Sequence, residues 1–233
     1  MPFVKPANLW KILVVLGILF LPAISYYLIS SGKNNYRKLE IFGPKEIPNS
    51  HEVDGKITGD TIYHTIPAFS FTDQYGNPFS DKLLDNHIYV AEFFFTSCKT
   101  ICPRMNRELE SVQFKFKNDS TLKIVSFSVD PERDSVPVLA AYASGYHATR
   151  DKWYFVTGEK QKIYDLARNG FFLAAVQDTR SPEEFNHSEQ LVLVDRDKRI
   201  RGYYDGTDDM EVSRLMDEIQ VLEWEYLQNQ SKK

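Results

Sequence analysis

The sequence predicts an α/β domain, a central mixed sheet flanked by helices, with an N-terminal transmembrane helix ahead of it. Three observations predict this. Short apolar runs rich in β-branched and aromatic residues alternate with amphipathic stretches from about residue 61 onward. The series closes with a hairpin pattern and a long helix of clear period. Residues 12–30, "ILVVLGILFLPAISYYLIS", are 19 residues without a charge, close to the roughly 20 apolar residues that cross a bilayer as a helix.

That N-terminal run lies between Lys5 and Lys11 on one side and Lys33, Arg37 and Lys38 on the other. Pro22 kinks such a helix without forbidding it, and Tyr26 and Tyr27 suit an interface. A cleaved signal peptide has a shorter apolar region, about 7 to 15 residues, and ends in a small-x-small site, so an uncleaved anchor is the expectation. The Lys and Arg counts of the flanks nearly balance and do not fix the orientation. The expected organisation is a short tail at 1–11, a transmembrane anchor at 12–30, a polar tether at 31–60, the folded domain at 61–228 and a polar C-terminal tail at 229–233. The tether is expected because residues 31–60 are rich in Lys, Asn, Glu, Gly and Pro.

Within the domain, "AFSFTDQYGNPFS" (68–80) places phenylalanines around the turn signal Tyr75-Gly76-Asn77-Pro78 and predicts a hairpin. "HIYVAEFFF" (87–95) and "LKIVSFSV" (122–129) are nearly continuous apolar runs, as expected of strands buried on both faces. Helices are expected at about 103–116, 135–146 and 159–170, the last closed by Gly170, with a short strand at 153–158. "EQLVLVD" (189–195) and "RIRGYYDG" (199–206) predict a hairpin. Val212, Leu215, Met216, Ile219, Leu222 and Tyr226 then fall on one face of a final helix.

The net charge is −4 and the charges of both signs are dispersed, so the basic footprint of a nucleic-acid binder is missing. Both cysteines of the chain lie in "FFFTSCKTICPRM" (93–105), at a strand-to-helix turn. In open α/β sheets that edge is where ligands bind. If a helix starts near Ile101, its free N–H groups and dipole favour thiolate at both sulfurs. Cys98 and Cys102 could be a structural staple, a redox pair or two soft metal ligands. So short a loop gives little stabilisation as a staple. A metal needs a third ligand. Of the five histidines, His51 lies in the tether, His64 and His87 precede strands, and His147 follows a helix. His187 ends the polar loop 177–188 directly before a buried strand and is the candidate. Two Cys and one His suit Cu(I) and can also hold Cu(II) or Zn. Met105 is expected in the core.

The chain resembles the Sco/SenC proteins, membrane-anchored copper-binding factors with a thioredoxin-like fold that serve assembly of cytochrome c oxidase. The resemblance spans about residues 66–225. It rests on "FSFTDQYGNPFS", on Cys-x-x-x-Cys-Pro within "FFFTSCKTICPRM", on "FSVDPERDS" (127–135) and on "FNHSEQLVLVDRDKRIRGYYDG" (185–206). It implies that Cys98, Cys102 and His187 are copper ligands. It also implies that the domain lies outside the cytoplasm, on the periplasmic side, where disulfides can form. Many members carry Pro-Asp after the first cysteine, where this chain has Lys99 and Thr100. The charged turn Asp130, Glu132, Arg133, Asp134 is expected to cap the helix at 135–146.

The resemblance implies a copper metallochaperone whose partner is the copper-site subunit of the oxidase, with other copper carriers or thiol-disulfide reductants as further partners. The alternative is a thiol-disulfide reductase that uses Cys98 and Cys102 to keep the oxidase's copper-site cysteines reduced. A third reading, a peroxidase-like thiol enzyme attacking through Cys98, has Thr96 and Arg104 nearby.

Overall fold

The computed structural model describes residues 6–31, 38–48, 51–53, 56–58, 61–173 and 189–230. The chain divides into two units, Met1–Arg37 and Lys38–Lys233. The first holds helix α1 (Pro6–Ser31), 26 residues with Pro22 inside. Its side chains are described in short runs, the longest at 14–22. Among the described residues no helix is long and apolar enough to cross a membrane.

The second unit is built on a seven-stranded mixed sheet. In chain order its strands are β5 (Ser70–Asp73), β6 (Pro78–Ser80), β7 (Ile88–Phe94), β8 (Leu122–Ser128), β9 (Trp153–Thr157), β10 (Gln190–Val194) and β11 (Ile200–Asp205). Before them come two small ladders, β1 (Lys45–Glu46) with β4 (Ile62–Tyr63) and β2 (His51–Val53) with β3 (Lys56–Thr58). The spatial order is β11-β10-β7-β8-β9-β5-β6. β7, β8 and β9 run parallel, and β10, β11, β5 and β6 pair antiparallel. The expected hairpins at 68–80 and 189–206 are both present.

The central strands follow from composition. All seven residues of β7 are buried, so β-branched and aromatic side chains are needed on both faces. Tyr89, Ala91 and Phe93 face one core, with Phe127, Val156, Ile163 and Phe171. Ile88, Val90 and Phe94 face the other, with Cys98, Cys102, Met105, Leu139 and Leu215. Helices α2 (Ile101–Lys115), α3 (Val136–Gly145) and α5 (Asp209–Gln230) cover this second face, while α4 (Lys160–Asp165) covers the first. On α5, Val212, Leu215, Ile219 and Leu222 are buried and Met216 packs at the margin, as the period requires.

Two details differ from expectation. Gly170 does not cap a helix. Residues Leu166–Gly170 continue α4 as a π-turn, and the left-handed residue is Phe172, at φ 53°. A Cβ on Gly170 would stand 2.9 Å from Leu166 Cδ1 and 3.0 Å from Pro67 Cδ, so this glycine permits close approach, not a turn. The second detail concerns residues 39–42, inside the polar stretch. The Phe42 N–H donates to the Ile200 carbonyl at 2.9 Å. Buried Arg201 donates to the Leu39 carbonyl at 2.8 Å and the Glu40 carbonyl at 3.1 Å, and pairs with Asp195 and Glu225 at 3.0 Å each. Because Val194 sits opposite Tyr89 and pairs with Ile200, this docking lies at the sheet edge where β7 begins.

Candidate metal centre

The cysteines lie at the opposite edge, where β7 ends. β7 delivers the chain at Phe94, the Val129 N–H extends the ladder by donating to the Phe94 carbonyl at 2.8 Å, and the Cys98 N–H closes a turn onto Phe95 O at 3.2 Å. α2 then starts at Ile101, which places Cys102 in its first turn, as the sequence predicts. The first N–H groups of a helix have no partner within it. For that reason Pro103 is tolerated so near the start. Thr100 precedes the helix but offers no side-chain cap. The Cys98 sulfur takes that role, accepting the Cys102 N–H at 3.4 Å with Thr100 Oγ1 at 3.8 Å.

Both thiols are free and buried, Cys98 with 7% and Cys102 with 2% of its surface exposed. The helix start does not favour thiolate at both. Burial opposes charge on Cys98, but the N–H groups of Cys102 and Thr100 outweigh it, and its pKa falls below the usual thiol value. Cys102 is shifted the other way: burial pushes its thiol strongly upward, reinforced by its neighbour Cys98 and by Glu92. The expectation of two activated sulfurs is thus corrected to one. A helix dipole acts only within the first turn, and deeper burial of Cys102 overrides it. Met105 is fully buried, as expected.

Three of the histidines with described side chains have partners elsewhere. His64 Nε2 meets the Gly170 carbonyl at 2.9 Å, His87 Nδ1 the Asp85 carbonyl at 2.8 Å and His147 Nδ1 the Glu110 carboxylate at 2.7 Å. Burial lowers the His87 pKa. His187 lies outside the described residues. Among the described residues no group of three His, Cys, Asp or Glu side chains could hold a metal ion. The described chain resumes at Glu189, whose carbonyl accepts the Gly206 N–H at 2.6 Å. Since Val192 lies opposite Ala91 in the antiparallel β7–β10 pair, β10 is entered from the edge that carries Cys98.

Two further residues serve this edge in roles that the sequence did not assign to them. Asp134 is fully buried. Its carboxylate accepts the Thr96 N–H at 3.1 Å, the Thr96 hydroxyl at 2.5 Å and the Ser128 hydroxyl at 2.5 Å. The capping role expected of it is overturned: α3 starts at Val136, its N-cap residue Ser135 makes no side-chain cap, and Asp134 points back to the cysteine turn. Nothing in "DPERD" distinguishes the two directions, because its partners stand 38 and 6 positions away. Glu92 is the other, and its signal was legible: a lone charge in an otherwise apolar strand. It is fully buried, and one oxygen accepts the Ser126 hydroxyl at 2.5 Å while the other has no partner among the described residues. Burial raises its pKa to about 8.

These features agree with the comparisons. A SCO1 protein homolog of Bacillus subtilis is 29% identical over 166 residues, covering 71% of this chain and 86% of that protein. A SCO1/SenC family lipoprotein from Bacillus anthracis superposes with a TM-score of 0.61 at 27% identity, over 68% of this chain and 95% of the other. BsSco, described as a member of the Sco family of cytochrome c oxidase assembly proteins with a disulfide switch, gives a TM-score of 0.59 at 29% identity, over 68% and 93%. The mixed sheet flanked by helices is therefore the thioredoxin-like α/β fold expected. With the SCO1/SenC family model matching residues 59–222, the chain belongs to the SCO1/SenC family.

Proposed function

We propose that this chain is a membrane-anchored copper metallochaperone that carries copper on Cys98, Cys102 and His187 and delivers it during cytochrome c oxidase assembly. The observation that carries the reading is the pair of sulfurs held together at the start of α2, with the Cys102 N–H on the Cys98 sulfur. Two thiolates are soft donors suited to Cu(I), and a third ligand from His187 would complete a site open enough to exchange. Glu189, two residues after His187, stands at the edge of the cysteines, which supports that ligand set. The kinship supports it too: BsSco is named for oxidase assembly, and a Stutzerimonas stutzeri relative, 29% identical over 141 residues, is named for copper binding. The proposed recipient is the copper-site subunit of the oxidase.

The anchor belongs to the same proposal. Residues 12–30 are 19 residues without a charge, close to the roughly 20 apolar residues that a bilayer crossing needs, and that composition supports the anchor. The periplasmic side is proposed for the domain on its kinship with the family, because the flanking charges do not fix the orientation. The full chain should stay with membranes through alkaline carbonate washing, and release into the supernatant would remove the anchor.

The test of the copper reading uses the reduced full chain in detergent, which should bind about one copper per chain. His187→Ala should weaken Cu(II) binding far more than it affects thiol oxidation. Equal copper retention after replacing Cys98, Cys102 and His187 together by Ala would end it.

One observation favours the reductase as a second reading, namely the opposite shifts of the two thiols. Cys98 would attack a partner disulfide as thiolate, forming a mixed disulfide and releasing one partner thiolate. Cys102 would then attack the Cys98 sulfur and release the second. The dithiol is oxidised and the partner reduced by two electrons. Trapping a partner on Cys98 in a Cys102→Ser variant, without any need for His187, would favour this role.

A further inference from the structure

We propose that Asp134 is the positioning residue of the dithiol: by fixing the main chain at Thr96 it sets where the Cys98 sulfur stands at the start of α2. The inference rests on the dithiol being the working group in either reading above.

The geometry is specific. Thr96 lies past the last residue of β7, where ladder hydrogen bonds no longer hold the chain, and two residues before Cys98. Its N–H and hydroxyl both donate to one carboxylate, which comes from the loop after β8. That carboxylate is held in turn by the Ser128 hydroxyl, which also accepts the Asp130 N–H at 3.2 Å. Asp134 has 0% of its surface exposed, and its neighbours Arg133 and Asp130 pair with each other on the outside at 3.7 Å. A buried carboxylate is costly to keep unless its hydrogen bonds are made. Among the described residues these bonds go to the cysteine turn and the strand beside it. Without the clamp, the main chain at Thr96 would lose the carboxylate that holds its N–H and hydroxyl, and the approach of the Cys98 sulfur to the Cys102 N–H would slacken.

Asn can replace Asp at this position in shape. Its oxygen can keep the Thr96 N–H and the Ser128 hydroxyl, and the Thr96 hydroxyl can turn to accept from the amide. Ala can do neither. Asp73 provides a matched control, a buried carboxylate that accepts the Tyr75 and Asn77 N–H groups at 2.9 and 2.8 Å in the β5–β6 turn. Asp73→Ala should loosen the fold without touching the dithiol.

The experiment compares the full-length wild type, Asp134→Ala, Asp134→Asn, Thr96→Val and Asp73→Ala in detergent. Three quantities are read: Cu(I) affinity against a chromophoric chelator, the equilibrium of the Cys98–Cys102 disulfide with glutathione, and the alkylation rate of Cys98 relative to Cys102. In the glutathione reaction, disulfide and two glutathione thiols give the dithiol and one glutathione disulfide. Asp134→Ala should lose about tenfold or more in copper affinity, the range seen when a supporting residue of a metal site is removed. It should also shift the glutathione equilibrium and slow Cys98 alkylation. Asp134→Asn should restore most of each, and Asp73→Ala should leave all three at wild-type values. If Asp134→Ala does not fold, Thr96→Val is read in its place, with the same directions and smaller size. Wild-type values in Asp134→Ala or Thr96→Val, or equal changes in Asp73→Ala, would overturn the proposal. A wild type that neither binds copper nor forms the disulfide would instead overturn the functional readings, and the alkylation rates alone would then decide the role of Asp134.

Discussion

The N–H of Cys102 donates to the sulfur of Cys98 at 3.4 Å, so a thiol occupies the place at the start of α2 that a capping oxygen usually fills. The bond joins two sulfurs of opposite character. Cys98 is held below the ordinary thiol pKa by N–H groups that outweigh its burial, and Cys102 is driven above it chiefly by burial.

In a brief pulse of iodoacetamide near neutral pH, the reduced protein should therefore be labelled first at Cys98. The rate should rise through an inflection below the usual thiol value, because the thiolate is the nucleophile. In Cys98→Ser the remaining reaction should be slow and should accelerate only in strongly alkaline solution. Peptide mass spectrometry across a pH series measures both, and equal labelling of the two cysteines would contradict the asymmetry.

Glu92 ties stability to pH. Its carboxyl is raised from 4.5 to about 8 when folded, by burial first, with the Ser126 hydroxyl opposing. Between those values the folded chain holds a proton that the unfolded chain has released, so stability falls as pH rises. The contribution is fully present below the unfolded value and is lost as pH passes through the folded one. Glu92→Gln, which keeps the shape and cannot ionise, should gain stability relative to the wild type as pH rises from about 4.5 to about 8. Urea unfolding midpoints across that range test this, and parallel curves for the two proteins would refute it.

Much of the fold was legible because it depends on local period. β7 and β8 announce themselves as unbroken apolar runs, and α5 by the spacing of Val212, Leu215, Ile219 and Leu222. The cysteine turn was legible for the same reason, since a helix starting at Ile101 fixes the place of both sulfurs. What escaped depends on groups distant in sequence. Asp134 looks like a cap until β8 brings it beside Thr96. The unequal thiols reflect depth of burial, which spacing does not encode. Leu39 and Phe42 look like stray apolar residues in a polar stretch until Arg201, about 160 positions on, gathers the carbonyls beside them.

Arg201 should accordingly be among the costliest residues to remove. Its guanidinium is 6% exposed and answers Asp195, Glu225 and two main-chain carbonyls. Breaking a buried ion pair by deleting one partner typically costs about 3–5 kcal/mol, because the other charge stays buried. Arg199 also pairs with Asp195, at 2.9 Å, so Glu225 is the more exposed to loss. Arg201→Ala should lower the unfolding free energy by about 3 kcal/mol, the lower end of that range, and should open residues 39–42 to proteolysis. A loss within about 0.5 kcal/mol, the level of a surface substitution, would show that the cluster does not hold this segment.

Gly170 permits a different test, because its role is steric. It is buried where the π-turn meets Pro67, and its carbonyl accepts from His64 Nε2 at 2.9 Å. A methyl group placed there would meet Leu166 Cδ1 at 2.9 Å and Pro67 Cδ at 3.0 Å, closer than packed carbons normally stand. Leu166 can rotate, whereas the Pro67 ring is rigid, so the segment before β5 would have to shift. Overpacking of this kind costs about 1–3 kcal/mol, and that should be the loss in Gly170→Ala by denaturant unfolding. If Gly170 were instead a left-handed helix stop, alanine would be strained by its backbone, and relieving the contact would not help. The double variant Gly170→Ala with Leu166→Ala separates the two explanations. Recovery of part of the loss, beyond the sum of the single changes, identifies the contact.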